Sequence, residues 1–366
     1  MHDIVYIVTS LSTGGAETQV VELVKRLSES KKIGIITLID INDFKYDLKD
    51  IDYYSLKMTR KIPNPIAIIK LIRILNIWKP LLIHSHMIHP NLLIRTISFI
   101  HKTPSLICTI HNIDNGRRWR DILYRISDRH VNINTAISQT VMESMIRRKI
   151  VKRDKIIFIV NGIDLEKFKF SYRTRKLYRS KYFNDNIFLW VAVGRFDKQK
   201  DYQNLINAAQ ILFTFTDIAR LIICGKGPLY NQYYEEIEQL NLQNKILLLG
   251  HRNDIPEIMN SADGYVMSSA WEGLPLVLLE ACASQLICVA TNVGGNNEII
   301  KHGENGFIVP PKNPKMLADA MLKSMKLPKA IRKTMAKYGR INIENNYDIN
   351  KITIKWEKLY NKYISK

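Results

Sequence analysis

The segment Ser268-Ser269-Ala270-Trp271-Glu272-Gly273-Leu274-Pro275-Leu276-Val277-Leu278-Leu279-Glu280-Ala281 concentrates the residue types that could do chemistry. Seven residues separate its two glutamates, the first in a loop and the second inside an apolar stretch that reads as a helix. Pro275 suits a first helical position, which would leave the amides of Gly273 and Leu274 at a helix N-terminus. A carboxylate set among Leu276–Ala283 is costly to bury unless it accepts hydrogen bonds. A vicinal diol such as a ribose supplies them, and a structural salt bridge is the alternative.

Two other loops carry comparable signals. Gly194-Arg195-Phe196-Asp197-Lys198-Gln199-Lys200 follows the candidate strand Ile187–Val193. Arg195, by its planar fork, and Lys200, as a point charge, suit a diphosphate there, although a solvated loop has the same composition. Ser12-Thr13-Gly14-Gly15-Ala16-Glu17 follows the first strand and opens a helical pattern. Paired glycines let a backbone approach a ligand closely, and helix-start amides attract phosphate. The pattern is neither a dinucleotide fingerprint nor a P-loop, and an ordinary strand-to-helix turn also explains it.

Metal chemistry is not expected. His84, His86 and His89 have no carboxylate or cysteine nearby to complete a ligand set, and they read as loop histidines. Asp50-Ile51-Asp52 reads as a solvated turn before a short strand. The four cysteines (Cys108, Cys224, Cys282, Cys288) form no CxxC and sit in or beside apolar runs, as small buried hydrophobes do.

Positioning these loops requires strands ending just before them. Candidate strands are Ile4–Thr9, Ile33–Ile39, Tyr53–Leu56, Leu81–His84, Leu106–Ile110, Val131–Thr135 and Ile156–Val160, with helical patterns such as Glu17–Ser28, Pro65–Trp78 and Asn91–Ile100 between most of them. After a basic, tyrosine-rich stretch at Asn161–Phe183, the series restarts with Ile187–Val193, Leu221–Cys224, Lys245–Leu249, Gly264–Met267 and Leu286–Ala290. This alternation predicts an α/β protein of two doubly wound, Rossmann-like domains facing across a cleft, with ligands at the carboxyl ends of the strands. The expected division is 1–165, 166–345, and a C-terminal helix over 346–366 crossing back to the first domain.

With 366 residues at roughly 150 per domain, two domains is also the length-based expectation. No run reaches the roughly 18 apolar residues of a spanning helix, and the N-terminus lacks a signal peptide, so a cytoplasmic location is expected. The net charge is +20, which favours an anionic partner. From Tyr53 to Ile113 there are eight Lys and Arg and no acid. The patterns Pro65–Leu75 and Asn91–Arg95 within that stretch combine apolar and basic residues, as helices on an anionic membrane surface do. Nucleic acid is the other anionic candidate, with Tyr172–Tyr182 as its best patch. That stretch reads more simply as an exposed linker and first helix, and no recognition helix, zinc finger or RNP-like strand appears.

Taken in order, Gly14-Gly15-Ala16-Glu17, His84-Ser85-His86, Thr109-Ile110-His111-Asn112, Val160-Asn161-Gly162-Ile163-Asp164, Gly194-Arg195…Lys200, Gly225-Lys226-Gly227-Pro228, Glu272…Glu280 and Asn292-Val293-Gly294-Gly295 resemble the retaining glycosyltransferases of the GT-B fold, glycosyltransferase family four. The resemblance implies that Glu280 holds the nucleotide ribose, and that Glu272 with the amides of Gly273 and Leu274 contacts the donor sugar. Arg195 and Lys200, beside Gly194, neutralise the diphosphate leaving group. Gly14 and Gly15 approach the phosphates, and His111 lies near the transferred sugar. It further implies a metal-independent transfer of a hexose or N-acetylhexosamine, with retention, from a nucleotide sugar, most often a UDP-sugar. The acceptor would be lipid-linked or a polysaccharide, as in O-antigen or capsule assembly at the inner face of the cytoplasmic membrane. A GT-B-fold nucleotide-sugar epimerase and a nucleic-acid-binding protein are the rival readings. The sequence departs from the family at Gln285-Leu286-Ile287, usually Gly-Leu-Pro, and at Asp201, usually glycine after the lysine; both departures bear on turn geometry.

Overall fold

The computed structural model describes residues 1–12, 14–44, 48–59, 65–113, 116–182 and 186–364. The chain forms two compact units, Met1–Gly162 with Ile349–Lys366, and Ile163–Asp348.

In the first unit seven parallel strands, β1 (Ile4–Val8), β2 (Ile33–Thr37), β3 (Asp52–Ser55), β4 (Leu82–His86), β5 (Ser105–Ile110), β6 (Ile133–Ala136) and β7 (Ile156–Phe158), lie in the order β3-β2-β1-β4-β5-β6-β7. The connections contain α1 (Gly15–Leu27), α2 (Pro65–Trp78), α3 (Ile88–Ile97), α4 (Arg118–Ser127) and α5 (Gln139–Arg147). β1, β2 and β4 are buried along their whole length. Helices on both faces of a parallel sheet bury its strands in this way, so they read as continuous apolar runs rather than alternating ones.

The second unit opens with α6 (Tyr172–Tyr182). It continues with β8 (Phe188–Val193), α7 (Tyr202–Phe215), β9 (Ala219–Cys224), α8 (Tyr230–Gln239), β10 (Ile246–Gly250), α9 (Ile255–Ser261), β11 (Gly264–Met267), α10 (Leu276–Ala283), β12 (Ile287–Thr291), α11 (Asn296–Ile299), β13 (Gly306–Val309), α12 (Pro314–Lys326) and α13 (Lys329–Asn346). Its six parallel strands lie in the order β10-β9-β8-β11-β12-β13. The strand order reverses between β8 and β11, which makes the loops after those two strands the rims of a topological switch point. The chain then returns to the first unit as α14 (Ile349–Ile364), where Trp356 and Tyr360 are buried against β4 and Tyr6.

Several expectations need correction. β13 was not expected: it is a four-residue strand following a turn. The histidines read as loop residues lie in regular structure: His84, at the end of the candidate strand Leu81–His84, and His86 are in β4, fully enclosed, and His89 is in α3. Arg95 is buried rather than a basic edge, donating to Tyr124 O, Ser127 Oγ and Asn134 Oδ1. With it, the Asn91–Arg95 segment packs inward. The Tyr172–Tyr182 stretch is α6, but it is not merely an exposed linker, because Arg175 and Arg179 both grip the carboxylate of Asp263. Pro275 falls one position before the helix: its ψ is 116° and its carbonyl accepts the amide of Leu278 at 3.2 Å. The amides of Gly273 and Leu274 therefore belong to the approach turn of α10 and not to its first turn. All four cysteines are buried and unpaired.

Candidate active site

At the switch point of the second sheet, the β8–α7 loop meets the β11–α10 loop. Asp197 Oδ1 accepts the amides of Gln199 and Lys200, an Asx-type turn that folds the first loop back over the strand end. Gln199 O then accepts the amide of Ala270, and Ser268 Oγ donates to Lys200 O, which ties the two loops together. Lys200 Nζ thereby lies 2.6 Å from Glu272 Oε1, with both side chains largely removed from solvent. Ser269 Oγ donates to the same oxygen at 2.7 Å, and Gln199 Nε2 to Oε2 at 3.1 Å. Gly194 makes room for this arrangement: a Cβ there would stand 2.9 Å from Lys200 Cε.

Gly273 and Leu274 are held from the other side. Gly295 N donates to Gly273 O at 2.8 Å. Gly294, at φ +55°, approaches so closely that a Cβ would be 2.1 Å from Glu272 O. Only glycine fits a left-handed backbone pressed against another carbonyl. Arg195 is exposed, its Nε 3.7 Å from Asp197 Oδ2, and can swing to an incoming anion.

Glu280, the fifth residue of α10, is half-buried. Among the described residues its carboxylate has neither a hydrogen bond nor a salt bridge. Burial pushes its pKa up to about 7, and the nearby charge of Lys167 offsets this in part. The structural salt bridge allowed from sequence is thus not made, and a carboxylate able to accept from a diol remains.

In the first unit, Gly14 caps α1 with its carbonyl accepting the amide of Thr18, and Gly15 is the first helical residue. Thr13, in the same loop, lies outside the described residues. His111 follows β5 directly, at the carboxyl edge of the sheet, with Nε2 3.0 Å from His86 Nδ1. Burial alone pushes its pKa down to about 4, so the ring is neutral at pH 7. Among the described residues, no group of three or more His, Cys, Asp or Glu could hold a metal ion.

Gln199, Ser269 and His86 belong to these clusters; all three fall within motifs quoted from the sequence, but no role for them follows from it. Ser269 and Gln199 lie next to residues that were singled out, and adjacency was the one available signal. His86 stands in the His84-Ser85-His86 motif of the resemblance, while with its neighbours it reads as a loop histidine.

Two doubly wound units, the second with charged loops at its switch point, define an α/β protein of the class that binds ligands at the carboxyl ends of its strands. Residues 174–342 match the model described as "Glycosyl transferases group 1", and residues 13–167 match "Glycosyltransferase Family 4". The chain belongs to these glycosyltransferases.

It is 28% identical over 306 residues to a UDP-Gal:alpha-D-GlcNAc-diphosphoundecaprenol alpha-1,3-galactosyltransferase of Escherichia coli, covering 80% of this chain and 78% of that protein. It is 27% identical to an N-acetylgalactosamine-N,N'-diacetylbacillosaminyl-diphospho-undecaprenol 4-alpha-N-acetylgalactosaminyltransferase of Campylobacter jejuni, covering 90% and 93%. Among solved structures, Anabaena HepE in complex with UDP-glucose superimposes with a TM-score of 0.87 at 20% identity, covering 99% of this chain and all of that one, which shows the shared GT-B fold. The chain is an enzyme, and neither an epimerase nor a nucleic-acid-binding protein is supported.

Proposed function

We propose that this enzyme transfers a hexose or N-acetylhexosamine from a UDP-sugar to a sugar carried on a lipid diphosphate, with retention of anomeric configuration and without a metal. The observation that carries the reading is the convergence of Lys200, Glu272 and the exposed Arg195 on the switch point of the second sheet. Breaking the anomeric C–O bond develops negative charge on the leaving diphosphate, and Arg195, Lys200 and the turn amides of Gly273 and Leu274 are suited to receive it. The family resemblance assigns the helix-start amides at Gly14 and Gly15 to donor phosphate, a role that an exposed helix N-terminus suits. Glu280 takes the ribose hydroxyls, and His111 stands at the transferred sugar.

Glu272 is a poor nucleophile, because its oxygens already accept from Lys200, Ser269 and Gln199. The acceptor hydroxyl therefore attacks on the face the leaving group departs from, and the leaving phosphate takes its proton. The acceptor class rests on the two relatives named above, both of which act on diphospho-undecaprenol-linked sugars.

The same reading brings the protein to an anionic membrane surface. Among the described residues no helix is long and apolar enough to cross a membrane. α2 exposes Ile66, Ile69 and Ile77 beside Arg73, and α4 exposes Trp119, Ile122, Leu123 and Ile126 along one face, with Arg117, Arg118 and Arg129 exposed at its ends. An aromatic-aliphatic strip flanked by arginines suits an in-plane membrane contact, and α4 replaces the buried Asn91–Arg95 segment in that role. Arg60 and Lys61, also in the acid-free stretch, lie outside the described residues.

The test is thermal stabilisation by UDP, GDP and ADP on wild type and Glu280→Ala, followed by determination of the product's anomeric configuration. Saturating ligand at 100 times its Kd adds about 2.7 kcal/mol. A UDP-selective shift, lost in the variant, and a product with the donor's configuration are expected. A shift indifferent to the base, or an inverted product, overturns the donor or the stereochemical part respectively.

A further inference from the structure

β4 carries two histidines on one face, and only one of them is fully partnered. His84 Nδ1 lies 2.7 Å from the Tyr360 hydroxyl and its Nε2 lies 2.7 Å from Thr109 Oγ1. Tyr360 in turn meets the Tyr6 hydroxyl at 2.8 Å, and the Trp356 ring packs against the His84 ring, tilted by 39° with centroids 4.6 Å apart. His86, packed 4.1 Å from His84 and 5.8 Å from the Tyr6 ring, has one polar contact, from Nδ1 to His111 Nε2 at 3.0 Å. Its Nε2 is buried and has no hydrogen-bond partner among the described residues.

Burial and the neighbouring imidazoles hold His86 well below the usual imidazole range, so each ring of the pair carries one N–H at pH 7. A proton on His86 Nε2 would be a buried donor with nothing to receive it, and orphaned buried N–H groups are rarer than under-satisfied acceptors. A proton on Nδ1 is used at once, in the bond to His111. That bond makes His111 Nε2 the acceptor and leaves the His111 proton on Nδ1, the nitrogen with no partner among the described residues.

We propose that His86 is a positioning residue that donates Nδ1–H to His111 Nε2 and thereby fixes His111 as the Nδ1–H tautomer, a neutral hydrogen-bond donor for a ligand oxygen. This rests on the reading of His111 as the residue at the transferred sugar. A neutral donor binds a sugar hydroxyl oxygen without setting a positive charge beside an oxocarbenium-like centre. The reverse tautomer would offer the sugar only a lone pair.

Long-range 1H–15N spectra of the protein labelled at histidine test the inference, with His111 assigned by its loss in His111→Asn. In wild type, His111 should show a protonated Nδ1 and a bare Nε2; a protonated Nε2 overturns the proposal without any variant of His86. His86→Asn, whose amide reaches the Nδ1 position, should keep the tautomer and the rate. His86→Leu should release the tautomer and lower kcat on the order of tenfold, the scale on which an orienting partner acts. Equal rates in His86→Leu and wild type with the tautomer unchanged also overturn it. Wild-type activity in His111→Asn would instead remove the sugar-contacting role while leaving the tautomer result standing.

Discussion

Lys200 Nζ and Glu272 Oε1 stand 2.6 Å apart across the loops that follow β8 and β11, so the cation proposed for the diphosphate rests on the carboxylate proposed for the sugar. Removing one partner of such an enclosed pair leaves a charge that water cannot reach. Lys200→Met is expected to lower stability by about 3 kcal/mol in urea unfolding. The double variant Lys200→Met/Glu272→Leu should recover part of that loss while remaining inactive. Full additivity of the two changes would show that the pair is not coupled.

If Glu280 holds the ribose as proposed, nucleotide binding is expected to depend on pH. The Glu280 carboxyl has moved from the ordinary value of 4.5 to about 7, so the folded state favours the neutral acid. The associated stabilisation is fully present below the unfolded value and is lost as pH climbs from there through about 7, because the folded chain holds a proton that the unfolded chain releases. Ribose hydroxyls donate best to the ionised form, so UDP affinity should rise across the same interval. Glu280→Gln should remove the pH step from isothermal titrations, bind UDP weakly throughout, and unfold at higher temperature than wild type at pH 8. A pH step that persists in Glu280→Gln would assign it to another group.

Both departures from the family's glycines sit in left-handed backbone, Asp201 at φ +48° and Gln285 at φ +58°. The turns have therefore kept the glycine geometry with side chains that fit it less well. Gln285 is exposed, and Gln285→Gly is expected to stabilise by on the order of 0.5 kcal/mol, since relief of left-handed strain outweighs the added freedom of the unfolded chain. Gly294→Ala is the contrasting case: the 2.1 Å clash with Glu272 O should distort the approach turn and abolish UDP-induced stabilisation. Chemical denaturation of the first variant and thermal shift of the second check these outcomes.

The membrane contact proposed for α4 is expected to be separable from catalysis. Trp119→Ser/Ile126→Ser should cut cosedimentation with vesicles containing anionic lipid, and salt should weaken wild-type binding. Transfer to a short-chain, water-soluble acceptor should stay unchanged in the same variant. Equal binding of wild type to neutral and anionic vesicles would remove the electrostatic part of the reading.

The alternation of apolar runs with helical patterns made most strands legible to within one or two residues, because parallel strands covered on both faces are continuously apolar. The Lys200 and Glu272 loops were legible because strand-to-helix turns at a switch point carry charge and glycine together. What escaped depends on partners distant in the chain. Nothing around His84 in the sequence foretells that Tyr360 satisfies it from 276 positions away. Arg95 looks like a surface cation until Tyr124 and Asn134 enclose it. No local pattern encodes such partners. The four residues of β13 form a strand by pairing with β12, which their length alone would not suggest.

The placement of α14 has a consequence for biosynthesis. Ile163–Asp348 is one uninterrupted stretch and can complete its sheet while the chain is still being made. The first unit cannot: the hydroxyl that satisfies His84 belongs to Tyr360, so the histidine pair on β4 waits, incompletely covered, until α14 has left the ribosome. A stop codon between Asp348 and Trp356 would leave the second unit whole and the first without its cover.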